Sequence, residues 1–370
     1  MSDITFKMTA ETNVGLVRTN NEDNFIVNPD LSQKDNWFVP GDAEQVLSLD
    51  ERGCVMVVAD GMGGMNAGEV ASEIAVASVK NSFSNIEDYS DITEDMDRIS
   101  SFLKKAVVEA DAAIKRRLKE DPSTSGMGTT IVVVWVVKTT AHIVWCGDSR
   151  AYLFKPDSCI IKLTKDHSYV QELVDSGKLD AELAFDHPNS NIITRSLGDS
   201  PSKAQPDYVC RELQKDDIIL LCSDGLCGLC RDEEIAKVMS ESETLDICRD
   251  NLIQAALKAG GYDNVTLVLM KMVSMGDEDS IRATATINDL KSVKKRKRRT
   301  SLIIFFMVLS VLAYLVLSGV CRTDDLKNGQ VENQAIPQQG LDSDDASAVN
   351  FADTVPGKQD TVVKDTLNDE

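Results

Sequence analysis

Acidic residues recur in this sequence at one kind of position, the end of an apolar run next to Gly or Asn. Asp60 ends VMVVAD, Asp148 ends IVWCGD and Asp224 ends IILLCSD. Asp263 stands just before the apolar run VTLVLM. Small neighbours let backbone and carboxylate approach a bound ion closely. The pattern therefore predicts a place where several strand-end carboxylates meet.

Two more acids, Glu22 and Asp23, lie in the early cluster VRTNNEDN. Asp–Gly pairs also form turns, so turn chemistry is the simpler explanation for any one strand-end Asp taken alone. Gathered together, the six acids would repel one another unless cations neutralised them. Hard Mg²⁺ and Mn²⁺ ions prefer oxygen ligands, so the set indicates a site for such ions.

The composition excludes one class of partner. A net charge of −21 over 370 residues argues against nucleic-acid binding, which needs a Lys/Arg surface. A phosphate substrate remains compatible with this charge if bound cations supply the positive charge. The nine Cys are an odd number. Most of them sit inside apolar runs, which indicates small core residues in a reducing cytosol.

Apolar β-branched runs and helical patterns alternate along the chain and must position these acids. Helical spacing predicts helices over Val70–Val79, Ile99–Leu118 and Leu245–Ala259. The predicted strands Thr129–Val137 and Ala141–Cys146 are close in sequence and are expected to pair as an antiparallel hairpin. This arrangement favours sheet layers covered by helices over a doubly wound parallel sheet. The predicted strands are Cys54–Ala59, Thr129–Val137, Ala141–Cys146, Ala151–Phe154, Asp217–Cys222 and Val265–Met270.

The ordered set RTNNEDN, ADGMGG, GMGTT, CGDSR, SLGD, SDGL and DN resembles the metal-dependent serine/threonine protein phosphatases of the 2C type, in their bacterial-like branch. It spans about Met8 to Lys271 in the family's order. The resemblance implies an α+β fold, a four-layer α-β-β-α sandwich in which a central antiparallel β-sandwich is flanked by helices. It also implies hydrolysis of phosphoserine and phosphothreonine in proteins with two Mn²⁺ or Mg²⁺ ions. Phosphorylated proteins, and a serine/threonine kinase, are the partners expected from it.

Carried over residue by residue, the resemblance implies how the acids share two metals. Asp60 would bridge both ions. Asp224 and Asp263 would complete the protein ligands of one ion. Glu22 and the backbone carbonyl of Gly61 would serve the other.

Other motif positions receive roles from the same resemblance. Asp148, with Asp224, matches the site of a third, weaker metal in bacterial-type members. Arg18 matches the residue that holds the substrate phosphate, and Asp23 matches an acid that orients metal-bound water. Supporting roles fall to Thr130 and Asp199.

Met62 departs from the pattern of many eukaryotic members, which have at this position the histidine proposed as general acid. The general acid is therefore open here, with metal-bound water as one candidate. His142 begins a predicted strand and is expected to be structural. His167 and His187 fall between Asp166 and Asn191, which matches the variable flap beside the family's active site, and neither is expected to be catalytic.

Two other motifs have simpler explanations. The glycines of Gly61–Gly64 lack dinucleotide-loop spacing, and their acidic residue precedes them. Cys227 and Cys230 form a C-x-x-C pair without the second pair that zinc would need, and a buried helix start is favoured over a redox pair.

The C-terminal part predicts membrane attachment. Ser301 to Cys321 carries no charged residue and is long enough to cross roughly 30 Å of hydrocarbon. The basic block Lys294–Arg299 precedes it, which favours a membrane flank over a nuclear signal and predicts a cytoplasmic catalytic domain with the tail outside the cell. No signal peptide is expected at the start of the chain. The predicted divisions are a catalytic domain 1–273, a polar and basic linker 274–300, a single-pass transmembrane helix 301–321 and an acidic disordered tail 322–370.

Two other functions are compatible with this kind of fold. One is a pseudophosphatase that only holds phosphoproteins, and the intact acid and Arg18 positions argue against it. The other is a receptor-like sensor, which the short tail makes a poor fit. The segment Asn28 to Arg52 has no assigned role.

Overall fold

Two antiparallel sheets are stacked at the centre of the chain. The computed structural model describes residues 3–33, 37, 45–63, 67–157, 159–198 and 203–276. One sheet has the strand order β3-β1-β12-β11-β8-β9, and the other has the order β10-β7-β6-β4-β2 with β5 paired to β4. The strands are β1 Ile4–Asn13, β2 Asp23–Asn28, β3 Leu47–Ser48, β4 Cys54–Met62, β5 Gly128–Thr129, β6 Ile131–Val137, β7 Thr140–Cys146, β8 Arg150–Phe154, β9 Ile160–Lys162, β10 Asp207–Glu212, β11 Ile218–Cys222 and β12 Val265–Met275.

Helices cover the outer face of each sheet. Against the second sheet lie α1 and α3, and against the first lie α6, α7 and α8. The predicted four-layer α-β-β-α sandwich is therefore confirmed. The helices are α1 Ala67–Ser84, α2 Ser90–Thr93, α3 Met96–Glu120, α4 Tyr169–Asp175, α5 Ala181–Ala184, α6 Asp224–Cys227, α7 Asp232–Glu241 and α8 Leu245–Lys258.

The core explains why the central strands read as continuous apolar runs. Alternate residues of β6, such as Val132 and Val134, face the other sheet, while Val133 and Trp135 face α1 and α3. Because both faces of the strand are covered, neither face needs polar residues. Trp135 packs edge-to-face against Phe83 and its indole N–H donates to the Arg52 carbonyl at 2.8 Å. The stacked layers give the strand ends a rigid frame.

The structure divides one predicted strand, extends another and adds strands that were not predicted, among them β1 and β10. The expected hairpin forms, with β6 and β7 antiparallel from Ile131↔Cys146 to Val137↔Thr140. The strand expected over Thr129–Val137 is divided at Thr130 into β5 and β6, although both parts keep one register with β4 and the Thr130 N–H donates to the Asp60 carbonyl of β4 at 2.8 Å. At the other end, β12 continues through the buried Met275, two residues past the predicted domain boundary.

The membrane prediction falls on a part of the chain that the structure does not describe. Among the described helices, none combines the length and apolar character needed to cross a bilayer. The predicted span 301–321, the linker from residue 277 onward and the tail lie outside the described residues. These assignments stay predictions.

Candidate functional site

Strand ends from both sheets bring the predicted acids to one edge of the sandwich. Asp23 and Asp60 are direct partners in the β2–β4 ladder. Asp148 lies in the turn between β7 and β8, and Asp224 begins α6 immediately after β11. Asp263 precedes β12. The sequence pattern therefore located five carboxylates that the fold gathers at one site.

The electrostatics of this cluster show strongly coupled acids. Burial raises the pKa of Asp60 well above its usual range, and repulsion from Asp224, Asp23 and Asp148 raises it further. Burial and then repulsion also raise the pKa values of Asp224 and Asp148. Because gathered like charges disfavour ionisation, bound cations would favour the ionised form of these carboxylates.

Glu22 is held beside Asp60 by backbone contacts. The Gly61 N–H donates to the Glu22 carbonyl at 3.2 Å, and the Ser72 hydroxyl donates to the same carbonyl at 2.7 Å. Burial raises the pKa of the Glu22 carboxyl. A Cβ on Gly68 would lie 2.9 Å from Glu22 Oε1, and one on Gly61 would lie 2.2 Å from the Gly68 carbonyl oxygen. Both positions therefore require glycine.

Ser223 and Asn264 were missed as functional residues by sequence reasoning. The Asn264 side chain accepts from the Glu22 N–H at 2.7 Å and donates to the Val14 and Asn20 carbonyls. The Ser223 hydroxyl donates to Asp23 Oδ2 at 2.7 Å, while burial raises the pKa of Asp23 to about 8. The sequence did contain a signal for both residues, since each is a polar residue at the end of an apolar run.

Thr130 is hydrogen-bonded to the backbone of Asp60. Its hydroxyl accepts from the Asp60 N–H at 3.2 Å and lies 2.6 Å from the Ser149 hydroxyl. Ser149 follows Asp148, so these bonds connect the two acids through the backbone. Asp199, the other predicted supporting residue, lies outside the described residues.

Arg18 pairs with one of the acids at the solvent-exposed edge of the cluster. Its Nη2 lies 2.7 Å from Asp263 Oδ2, and the two side chains are 49% and 36% exposed. The pKa of Arg18 is raised chiefly by the hydrogen bond to Asp263. Because the guanidinium has five N–H donors and is half-exposed, it can also bind an anion that enters from solvent.

His167 is a buried residue that positions the turn before Asp148. Its Nδ1 accepts from the Gly147 N–H at 3.1 Å, and its backbone N–H donates to the Gly147 carbonyl at 3.0 Å. Nε2 must then carry the proton, and it lies 3.1 Å from Asp207 Oδ2. Gly147 has φ +125°, and a Cβ there would lie 2.5 Å from the Thr130 side chain. Sequence reasoning treated His167 only as a flap residue.

The remaining histidines and the C-x-x-C pair have other partners. His142 is bonded to the Tyr208 hydroxyl at 2.7 Å, and His187 accepts from the Asn189 N–H. Cys227 and Cys230 are buried. The interaction with Cys222 and then burial raise the pKa of the Cys227 thiol well above its usual value, and burial raises the pKa of Cys230 to about 12. A reactive redox thiol needs a lowered pKa, so a buried helix start is the better description.

The donor set fits Mg²⁺ or Mn²⁺. All the candidate ligands are carboxylate or carbonyl oxygens, the ligands that hard cations prefer. Within the described ranges, no three or more His, Cys, Asp or Glu side chains form a ready-made cage around one position. Ions of this kind keep several water ligands, so a few protein oxygens for each ion suffice.

A cleft of about 830 Å³ opens beside the cluster. Asp148, Asp224 and Asp263 line it, together with residues of α4 and α5. Arg231 holds α5 in place, because it stacks on Phe185 at 4.3 Å and forms an ion pair with Asp186. The cleft can hold a segment of another molecule against the acids.

Comparisons with known proteins agree with this geometry. The family described as Protein phosphatase 2C matches residues 9–265. The chain is similar to the serine/threonine phosphatase stp of Listeria monocytogenes, at 34% identity over 260 residues that cover 70% of this chain and 93% of that protein. It is 32% identical to the serine/threonine protein phosphatase PstP of Mycobacterium tuberculosis over 288 residues, which cover 77% of this chain and 49% of PstP.

A solved structure shares the fold as well. The catalytic domain of PstP in complex with two manganese ions matches with a TM-score of 0.58 and 31% identity. The match covers 73% of this chain and 100% of that domain. The fold and the sequence identity of this match therefore agree with the family match over residues 9–265.

Proposed function

The chain belongs to the protein phosphatase 2C family, and on that premise we propose that it hydrolyses phosphoserine and phosphothreonine in proteins at the strand-end acids with two Mn²⁺ or Mg²⁺ ions. The observation that carries the proposal is the cluster of mutually repelling carboxylates with Arg18 beside it. Phosphorylated proteins are the substrates, and a serine/threonine kinase that makes them is the expected functional partner.

The acids would hold the ions through oxygen atoms. Asp60, Asp224 and Asp263 would hold the ions together with Glu22 and the Gly61 carbonyl. Asp148 is proposed for a third, weaker ion. When bound, paired divalent ions lower the pKa of a water molecule and polarise the phosphoryl group.

The chain's own residues would position the reactants. The Arg18 guanidinium would exchange part of its bonding to Asp263 for two bonds to the phosphate oxygens. The Asp23 carboxylate, fixed by the Ser223 hydroxyl, would accept a hydrogen bond from the attacking water and orient it. No covalent intermediate on the protein is required, since water is the nucleophile.

Protonation of the leaving alcohol is assigned to no histidine. Met62, the position of the histidine in many eukaryotic members, pairs with Gly128 of β5 and offers no proton. The Nδ1 atom of His167 accepts from the Gly147 N–H, and the ring proton on Nε2 lies 3.1 Å from Asp207 Oδ2, so both ring nitrogens already have partners within the protein. The leaving group is therefore proposed to take its proton from solvent water within the site.

Metal dependence tests the proposed function. We expect the full chain to release phosphate from a phosphothreonine peptide with added Mn²⁺ or Mg²⁺, and to lose this activity in EDTA because the protein supplies no nucleophile of its own. Phosphate release after chelation and re-addition of Mn²⁺ is the measurement. Undiminished turnover in EDTA would contradict the two-metal mechanism, and peptide binding without turnover in Mn²⁺ would favour the pseudophosphatase.

Membrane attachment through residues 301–321 is part of the proposal. The apolar run and the basic block before it support a single-pass protein of the cell membrane with a cytoplasmic catalytic domain. A chain truncated after Gly276 should remain folded and active, because β12 ends at Met275. Protease added to intact cells should remove the tail and spare the domain. A full-length protein that fractionates as soluble would overturn the attachment and leave the enzyme assignment intact.

A further inference from the structure

Two loops beside Arg18 expose an unusual amount of apolar surface. Leu16 and Val17 are 67% and 61% exposed, and Tyr262 is 63% exposed. The described residues include ten exposed large apolar side chains, and Val14 joins these three to place four of the ten in the two loops. Exposed apolar side chains that occur singly need no explanation, whereas a cluster beside a functional site indicates an interaction surface.

Backbone contacts fix the two loops to each other. The Leu16 N–H donates to the Gly261 carbonyl at 2.7 Å, and Arg18 pairs with Asp263 at 2.7 Å. A Cβ on Gly15 would lie 2.3 Å from the Asp263 carbonyl oxygen, so the loops are in direct contact. Leu16, Val17 and Tyr262 therefore form one surface, here called the apolar rim.

The position of the apolar rim indicates which part of a substrate would contact it. Val17 is covalently next to Arg18, and Tyr262 is next to Asp263 and lines the cleft. Consecutive residues of an extended segment are about 3.8 Å apart between Cα atoms. A segment whose phosphate reaches Arg18 would therefore bring the residues flanking the phosphorylated side chain to the rim.

The cleft wall carries charges of both signs, since Arg150, Lys162 and Arg231 line it together with Asp224, Asp232 and Glu233. The charge of the wall therefore does not select the residues that flank the phosphorylated side chain, whereas a large apolar neighbour could bury surface on the rim.

We infer that the apolar rim selects phosphoprotein segments that carry a large apolar residue directly next to the phosphorylated Ser or Thr. The inference rests on the proposed function, because it places the substrate phosphate at Arg18. It concerns selectivity among substrates and leaves the hydrolytic chemistry unchanged.

Two phosphothreonine peptides test the inference. They differ only in the two residues flanking phosphothreonine, which are Leu in one peptide and Ser in the other. With Mn²⁺, the full chain should show a kcat/KM for the Leu peptide about tenfold above that for the Ser peptide, mainly through KM. The combined change Leu16→Ser and Tyr262→Ser should bring this ratio close to one.

Ile247→Ser is the matched control, since Ile247 is also an exposed apolar residue but lies on α8 away from the cleft. It should keep the wild-type ratio. Val17→Thr, which changes little in shape, should lower the ratio partly and guards against misfolding of the double variant.

Equal kcat/KM for the two peptides in the wild-type chain would overturn the inference and leave the proposed function standing. A preference for Leu that persists in the double variant and in Val17→Thr would overturn the assignment to the rim. Hydrolysis of neither peptide in Mn²⁺ would contradict the proposed function and this inference with it.

Discussion

Asp60→Asn is expected to reduce turnover of a phosphothreonine peptide by roughly 10³-fold, because losing the central carboxylate removes a metal or misplaces it. The stabilisation that paired metals give a transition state is several kcal/mol, and each 1.36 kcal/mol is tenfold in rate. Asp224→Asn should have an effect of the same size. Initial rates at saturating Mn²⁺ measure both.

The Asp60→Asn protein should nevertheless remain folded. Burial and repulsion raise the pKa of Asp60, so its ionised form destabilises the metal-free fold. A carboxyl with a raised pKa contributes stability that is present below its unfolded pKa and is lost as the pH rises through its folded pKa. In EDTA, the Tm of the wild-type protein should therefore fall as the pH rises from 5 to 9. The Tm of Asp60→Asn should fall by less over the same range. Thermal unfolding measures this directly.

Two controls separate the site from general damage. Asp216→Asn is an isosteric change at an exposed ion pair with Lys271, and Cys230→Ala alters the buried C-x-x-C pair. Both variants should retain activity within a few-fold of wild type. If Cys230→Ala abolished turnover while Asp60→Asn did not, the assigned site would be wrong.

Arg18→Ala is expected to weaken phosphate binding by about 1.5–3 kcal/mol, or roughly 10–150-fold in KM. The reason is the loss of charge-assisted hydrogen bonds to the phosphate. Arg18→Lys should recover only part of the affinity, because an ammonium does not offer the planar pair of donors. Steady-state kinetics on the same peptide measure these effects, with the exposed Arg98→Ala as the matched control.

The same variant distinguishes two roles for Arg18. Arg18 forms an ion pair with Asp263, so it could serve simply to neutralise that acid. In that case Arg18→Ala would leave KM unchanged and tighten Mn²⁺ binding, which titration calorimetry would detect. That outcome would remove Arg18 from phosphate binding.

The acids of the site could be predicted from the sequence because each follows or precedes an apolar strand. Antiparallel pairing places the end of one strand beside the start of its neighbour, as it does for Asp60 at the end of β4 and Asp23 at the start of β2. Gly68 and His167 could not be found in the same way. Gly68 is required by the close approach of Glu22, and His167 binds a turn that is distant in sequence. Such contacts depend on how layers pack, which spacing alone does not encode.

The strands, like the residues of the site, could be predicted only in part from the sequence. β1 was not among the predicted strands, although Phe6, Met8 and Ala10 alternate with polar residues and face the core. Its period of two was a usable signal. β10 is an edge strand with half-exposed residues, so its hydrophobic pattern is weak. Continuous apolar runs identified the buried central strands and missed those with a solvent-exposed face.

The identity and position of the bound metals test the central claim most directly. Crystals grown with Mn²⁺ would give anomalous difference peaks at the ions. Two peaks about 3.5–4 Å apart, both within ligand distance of the Asp60 carboxylate, are predicted. Their loss in crystals of Asp60→Asn would accompany the loss of turnover. Peaks elsewhere on the protein, or none at Mn²⁺ concentrations that support hydrolysis, would contradict the assignment of the strand-end acids as the catalytic metal centre.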